Sequence, residues 1–419
     1  MSVEHTSHEG PGSDPGGPAR LRTTLGLRSP LPADRPLHAA TGVFLFVAGC
    51  SMPLLTAFLS RYPEAVERVY AGRIGPFLSA ALTGISSLFP FSLAEIGLLG
   101  LMSLTVILAA RGVVQVARGR RHALNAAACG ILRMAGLAGI LLLAAYGAWG
   151  FNFARAGVVA RLHWSDYASQ PDSDSAREEL TRYCTALVAL ANREFEAAAG
   201  TTDPGKPSTP RNSIAELDAA IEEAYARIGG RLNLHQSVAS GRGPAKPVLT
   251  SFVMSALLIG GFYSPWTAEA NYNRELPACN IPQTIAHEKA HQRGFPSEDE
   301  ANFFGFLACI YARDPYVRYS GYLFAQQQLL GELRRFAPEK VKEIAGRRHP
   351  GIRRDVDFSR KFVERHRGIA SDLSYAANNA YLEANRAPGG IKSYAMSSRL
   401  IVIYARAVDG TFESNTALR

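Results

Sequence analysis

The sequence is poor in cysteine, and its five cysteines in 419 residues include no CxxC pair. That excludes a small disulfide scaffold and leaves no zinc-finger spacing. No RNA-binding aromatic motif and no continuous basic helix occur, so the net charge of +9 is not a nucleic-acid footprint. No internal repeat is found and no strand signal is strong; 248–254 and 260–264 are the best strand candidates. Charge is scarce in one region: the first 150 residues hold 12 of the 45 basic and 7 of the 36 acidic residues. The mean hydropathy of −0.02 therefore averages two parts suited to two solvents.

What fills the low-charge part is apolar runs. Residues 1–36, rich in Gly, Pro, Ser and Arg, read as a disordered tail. Residues 39–59, 92–110 and 134–150 are each long enough to cross the hydrocarbon core as a helix. Residues 76–90 are apolar but broken by Pro76, Gly84 and Pro90, and read as interfacial. Arg20, Arg22, Arg28 and Arg35 precede the first span, and Arg111, Arg118, Arg120 and Arg121 follow the second. Arg61, Arg68 and Arg73 lie between the two. The richer flanks face the cytoplasm, which predicts an extracytoplasmic domain after residue 150. Trp149 and Trp164 are expected as interface anchors at that exit. Residues 248–263 are apolar but short for a span, and suit a buried strand, a core helix or a membrane-dipping element.

The remainder, 151–419, reads as mostly helical. Ser175 with Glu178 and Ser213 with Glu216 have capping-box spacing. Helical patterns cover 282–293, 298–312, 317–335, 338–346, 357–385 and 394–408. Cys279 and Cys309 flank the central motif, and the spacing leaves a disulfide between them open.

That motif is His287-Glu288-Lys289-Ala290-His291. On a helix, residues four apart share a face, so both imidazoles can hold one ion. Glu288 can reach a water on that ion, and three protein ligands plus a water make a catalytic zinc site. Gly294 suits a helix stop and Ser297 an N-cap, so a hairpin brings a second helix beside His291. Glu298 and Glu300 are both candidates for the third ligand. Glu300 has the spacing of a capping-box partner for Ser297, which favours Glu298. Asn302 shares the Glu298 face and can hold a ligand histidine by its other ring nitrogen. Glu269 is a candidate substrate contact, and Tyr381, Tyr394, His349 and His366 are candidate oxyanion donors.

HExxH followed by Glu-x-x-Ala-Asn resembles the glutamate-type zinc metallopeptidases, the gluzincins. The resemblance implies Glu298 as third ligand and the residue four later, Asn302 here, as its support. FPFSLAE at 89–95, WGFNFAR at 149–155, GGFYSPWTAEANYN at 260–273, CNIPQTIAHEKAHQRGF at 279–295, EDEANF at 298–303 and YLEANRAPGGIKSY at 381–394 resemble a bacterial membrane-protein family of unknown function. That family usually has an apolar residue where Lys289 stands; Lys289 points away from the metal face.

The sequence thus predicts a mainly α multi-pass membrane protein. Three N-terminal transmembrane helices (membrane domain 37–150) would carry a mostly helical, zincin-like extramembrane domain (151–419). One Zn²⁺ per chain would serve a peptidase whose partners are the lipid bilayer and a peptide or protein substrate. A scaffold or transport-associated protein with a non-catalytic metal site is the alternative. So is a zinc hydrolase of non-peptide amides.

Overall fold

The computed structural model describes residues 35–119, 123–169, 173–198, 205–232, 234, 236–384 and 393–413. The tail expected over 1–36 lies almost wholly outside them. The protein is mainly helical. Among the described residues three segments are long and apolar enough to cross a membrane: Ala40–Leu59, Leu93–Ala117 and Ala127–Ala148.

The first is built from α1 (Arg35–Cys50) and α2 (Met52–Leu59), which meet at Ser51. Pro53 follows at once, and its missing N–H interrupts the hydrogen-bond ladder there. A turn at Pro63–Ala65 and π-helical turns over Val66–Ile74 lead into α3 (Gly75–Ser86). The second and third segments are α4 (Leu93–Ala117) and α5 (Ala123–Ala148). Helices α1 and α5 pack through glycine: a Cβ on Gly49 would lie 2.7 Å from the Gly139 Cα. Small residues let helix backbones approach where no water drives association.

Most of the later helices pack around one hydrophobic core. They include α6 (Ser173–Ala198), α7 (Ile214–Arg231), α8 (Ser251–Ala256), α9 (Ile281–Gln292) and α10 (Glu298–Ile310). After them come α11 (Pro315–Leu333), α12 (Pro338–Gly346), α13 (Pro350–His366), α14 (Ile369–Ala384) and α15 (Ser393–Ala407). Every residue of α10 from Glu300 onward is buried, because its neighbours α9, α11 and α15 close around an almost uniformly apolar sequence. A three-stranded sheet, ordered β1-β3-β2, packs on α9: β1 (Lys246–Pro247), β2 (Gly261–Ser264) and β3 (Glu269–Tyr272). Strand β1 runs parallel to β3, β2 antiparallel with Phe262 opposite Asn271, and β2 is left at an edge.

Two carboxylates tie the domain to the start of α4. Glu269 accepts from the Leu93 and Ala94 amides at 3.0 and 2.8 Å, capping that helix, and pairs with buried Lys246 at 2.6 Å. Glu95 accepts from the Leu249 and Thr250 amides at 2.8 and 2.7 Å. The domain thus sits at the end where α2 finishes, α4 begins and α5 finishes.

Several sequence expectations change. Residues 260–264 supply β2 as expected, but the helix over Ser251–Ala256 takes the second half of the other strand candidate, 248–254. The pattern over 357–385 is two helices that begin earlier, at Pro350, and part at Arg367-Gly368. The Ser213–Glu216 box forms, whereas Ser175 already lies inside α6. Trp164 is no interface anchor: it is buried against Phe303 and Tyr404. Cys279 and Cys309 are buried and unlinked. The Cys279 thiol lies instead by Asn280 and Ser359.

Candidate metal centre

Helix α9 ends in the left-handed turn at Gly294, φ +80°, where a Cβ would also strike the Asn152 side chain at 2.8 Å. The chain reverses through Phe295 and Pro296, and α10 starts after Ser297. The Phe295 ring stacks on Phe304 at 3.8 Å, fixing the hairpin. At its middle the two helices nearly touch: a Cβ on Gly305 would lie 2.9 Å from the His287 backbone nitrogen.

This geometry gathers His287, His291 and Glu298, whose ligand atoms lie within 4.8 Å of one another. The two Nε2 atoms are 3.1 Å apart, and the Glu298 carboxylate oxygens lie 3.3 Å from His287 Nε2 and 3.7 Å from His291 Nε2. A tetrahedral ion with zinc–nitrogen bonds of about 2.0 Å would hold two ligand nitrogens roughly 3.3 Å apart, so the donor set fits zinc. The tautomer fits too. The other His291 ring nitrogen, Nδ1, lies 2.8 Å from the Phe295 carbonyl oxygen, which can only accept. Nδ1 therefore carries the proton, and Nε2 turns a lone pair towards the cluster.

Charge is tightly arranged here. Burial disfavours a charged His287, but the Glu298 carboxylate outweighs it and lifts the imidazole to about 9. Burial, then the charge on His287, push His291 down to about 4. Burial lifts the Glu288 carboxyl to about 8, with His287 opposing and Glu298 adding. Glu288 lies under β2, where a Cβ on Gly261 would come within 2.7 Å of its Cγ and Oε1.

The other sequence candidates scatter. Glu300 is turned from the cluster; its carboxylate accepts from the Val158 amide and pairs with Arg161, each at 2.7 Å. It completes no capping box, and Ser297 makes no side-chain cap bond. Asn302 adds to the upward pull on His287 and donates to Ser397 at 3.2 Å. The Nδ1 of His287 still makes no well-aligned hydrogen bond. Glu269 belongs to the α4 cap. His349 caps α13 by accepting from the Gly351 amide, and His366 ends that helix on the Phe362 carbonyl. Tyr381 and Tyr394 lie outside the residues whose side chains are described.

Sequence reasoning missed what holds α9 in place. Lys289 does point away from the metal face, but it is wholly buried, 2.6 Å from Glu222 and 3.0 Å from Asp218 of α7. Arg293 joins Glu222 at 2.7 Å and lies over the Tyr225 ring at 4.1 Å. Tyr225 donates to the Ala286 carbonyl at 2.6 Å. Trp149, expected at a lipid interface, instead donates to the His291 carbonyl. Two signals were present: Gly261 inside a strand candidate and Gly305 inside an apolar helix both mark close backbone approach.

Fold and site together define a mainly helical protein with three candidate membrane spans and a His₂Glu cluster at their domain end. The chain belongs to the DUF3810 family, described as proteins of unknown function, whose family model matches residues 70–402. No curated protein and no solved structure matches it.

Proposed function

We propose that this protein is a membrane-anchored zinc metallopeptidase with its domain outside the cytoplasm. The observation that carries the reading is the convergence of His287, His291 and Glu298 on one point, with buried Glu288 beside it under an edge strand. The resemblance of HExxH and Glu298-x-x-Ala301-Asn302 to the gluzincins supports the same ligand set. The arginine flanks support the orientation, since the 60–92 segment and the domain share one side of the spans.

His287, His291 and Glu298 would hold the ion, which when bound polarises a carbonyl and makes water a stronger acid. Glu288 takes a proton from the attacking water and delivers it to the leaving amide nitrogen. Its burial suits a group that must carry a proton between two partners. Strand β2 offers its open edge to an extended peptide, and Gly261 lets that strand lie close over Glu288.

The purified full chain should contain about one zinc, lost in His287→Ala. Glu288→Gln should keep the zinc and abolish cleavage of a peptide library. Cleavage by Glu288→Gln at the wild-type rate would overturn the mechanism. Metal with no hydrolysis would favour a scaffold, and hydrolysis of non-peptide amides alone would favour the other hydrolase class.

A further inference from the structure

The surface around the cluster is built for an apolar solvent. Helix α3 is inside out: its buried positions include Ser79, Thr83 and Ser86, while Phe77 is 72% exposed. A helix solvated by water turns the other way. Helix α8 shows the same sign, with Phe252 64% exposed and Leu249 and Val253 beside it exposed as well. It begins next to the Leu249 and Thr250 amides that bind Glu95, so it lies at the mouth of α4. The turn between β2 and β3 goes further. Trp266 at its tip donates to the Leu141 carbonyl of α5 at 3.0 Å. Leu141 is seven residues short of the α5 end, about 10 Å down the helix at 1.5 Å per residue. The third span is 22 residues, or about 33 Å, against a hydrocarbon core of about 30 Å.

We propose that α3, α8 and the β2–β3 turn are sunk into the bilayer interface, so that the metal site works at head-group level. Its substrate is then the membrane-proximal stretch of an anchored polypeptide, delivered to β2 from the lipid side. The occupant of this face is lipid because the patch is continuous with the spans: Glu95 and Glu269 fix it to α4, and Trp266 fixes it to α5. The substrate half rests on the metallopeptidase reading; the insertion half does not.

The insertion half is tested on the full chain in phosphatidylcholine–phosphatidylglycerol vesicles, with Cys50 and Cys129 replaced by alanine. A spin label at Phe252→Cys should be reached better by oxygen than by a water-soluble nickel chelate. A label at Phe336→Cys, exposed on the α11–α12 turn, should show the reverse. Better access by nickel at position 252 overturns the proposal, and poor access by both reagents overturns it in favour of a protein cover. For the substrate half, one randomised peptide library is presented free and on a palmitoyl anchor in the same vesicles. The anchored form should be cleaved at least tenfold faster, and Leu249→Ser with Phe252→Ser should remove that preference. Equal rates overturn the substrate half. No cleavage of either library, with oxygen-favoured access at position 252, overturns the peptidase reading and its substrate but leaves the insertion standing.

Discussion

The Trp149 indole donates to the backbone carbonyl of His291 across 2.7 Å, joining the end of the third membrane span to the HExxH helix. The ring also stands edge-on to the His291 imidazole at 6.0 Å. The candidate metal cluster and the third apolar segment are thus in direct contact through Trp149. Trp149→Phe keeps most of the ring and loses the donor. It should weaken zinc binding about fivefold, the value of one net hydrogen bond of about 1 kcal/mol. Competition against a fluorescent chelator measures this, and an unchanged affinity would show that the contact only fills space.

Lys289 is a residue whose loss should be costly without touching the metal-ligand cluster. Lys289→Met leaves Asp218 buried and without its cation, and should lower stability by about 3 kcal/mol. Adding Asp218→Asn should recover part of that loss. Thermal unfolding of the full chain in detergent compares the three proteins. A double variant no more stable than Lys289→Met would argue that the lysine acts through packing alone.

Glu222 predicts the acid limb of stability. Burial opposes its charge, but Arg293 and Lys289 prevail and hold its pKa at about 2 against an ordinary 4.5. The folded value lies below the unfolded one, so the stabilisation is complete above pH 4.5 and is lost as pH falls towards 2. A shift of that size corresponds to about 3 kcal/mol at neutral pH. Glu222→Gln should lower the unfolding temperature at pH 7 and flatten its fall between pH 4.5 and 2. Asp218 shifts the opposite way, raised by burial against the pull of Lys289.

Gly305→Ala tests the helix contact that sets the ligand spacing. Its Cβ would meet backbone of α9 at 2.9 Å, which a flexible side chain cannot relieve. Helices α9 and α10 must part, at a cost of about 1–3 kcal/mol, and Glu298 moves away from the two histidines. Zinc affinity should fall by more than tenfold while helical content by circular dichroism stays constant. Retained affinity would mean that the hairpin absorbs the strain elsewhere.

Glu269→Gln separates structure from site. The amide leaves Lys246 buried without its counter-ion and weakens the cap on α4, so stability should drop by about 3 kcal/mol. Zinc affinity should be unchanged, because Glu269 makes no contact with the cluster. A fall in affinity matching the fall in stability would return Glu269 to the site.

How much of this was legible in the sequence depended on the range of the interaction. The spans, α9, α10 and α12 could be read because apolar length, helical period and a glycine stop act within a few residues. The pairing of His287 with His291 could be read for the same reason, since helix periodicity fixes it. Spacing favoured Glu298 over Glu300 through a capping box with Ser297 that does not form. What distinguishes them is that Arg161 and the Val158 amide, over 130 residues earlier, claim Glu300. Glu269 gave no local sign of its role, because its partners Lys246, Leu93 and Ala94 come from two other segments. Lys289 looked incidental for the same reason.

The sequence by itself determined that the chain has two solvents and that two imidazoles share one helix face. Apolar length and helical period are local quantities and need no partner. Only the tertiary structure decided where those faces meet. It brings Glu298 to the histidines, buries Lys289 among carboxylates and seats the whole cluster on the end of α5. Those outcomes depend on which distant group satisfies each buried charge or hydrogen bond, and that competition is settled by folding rather than by spacing.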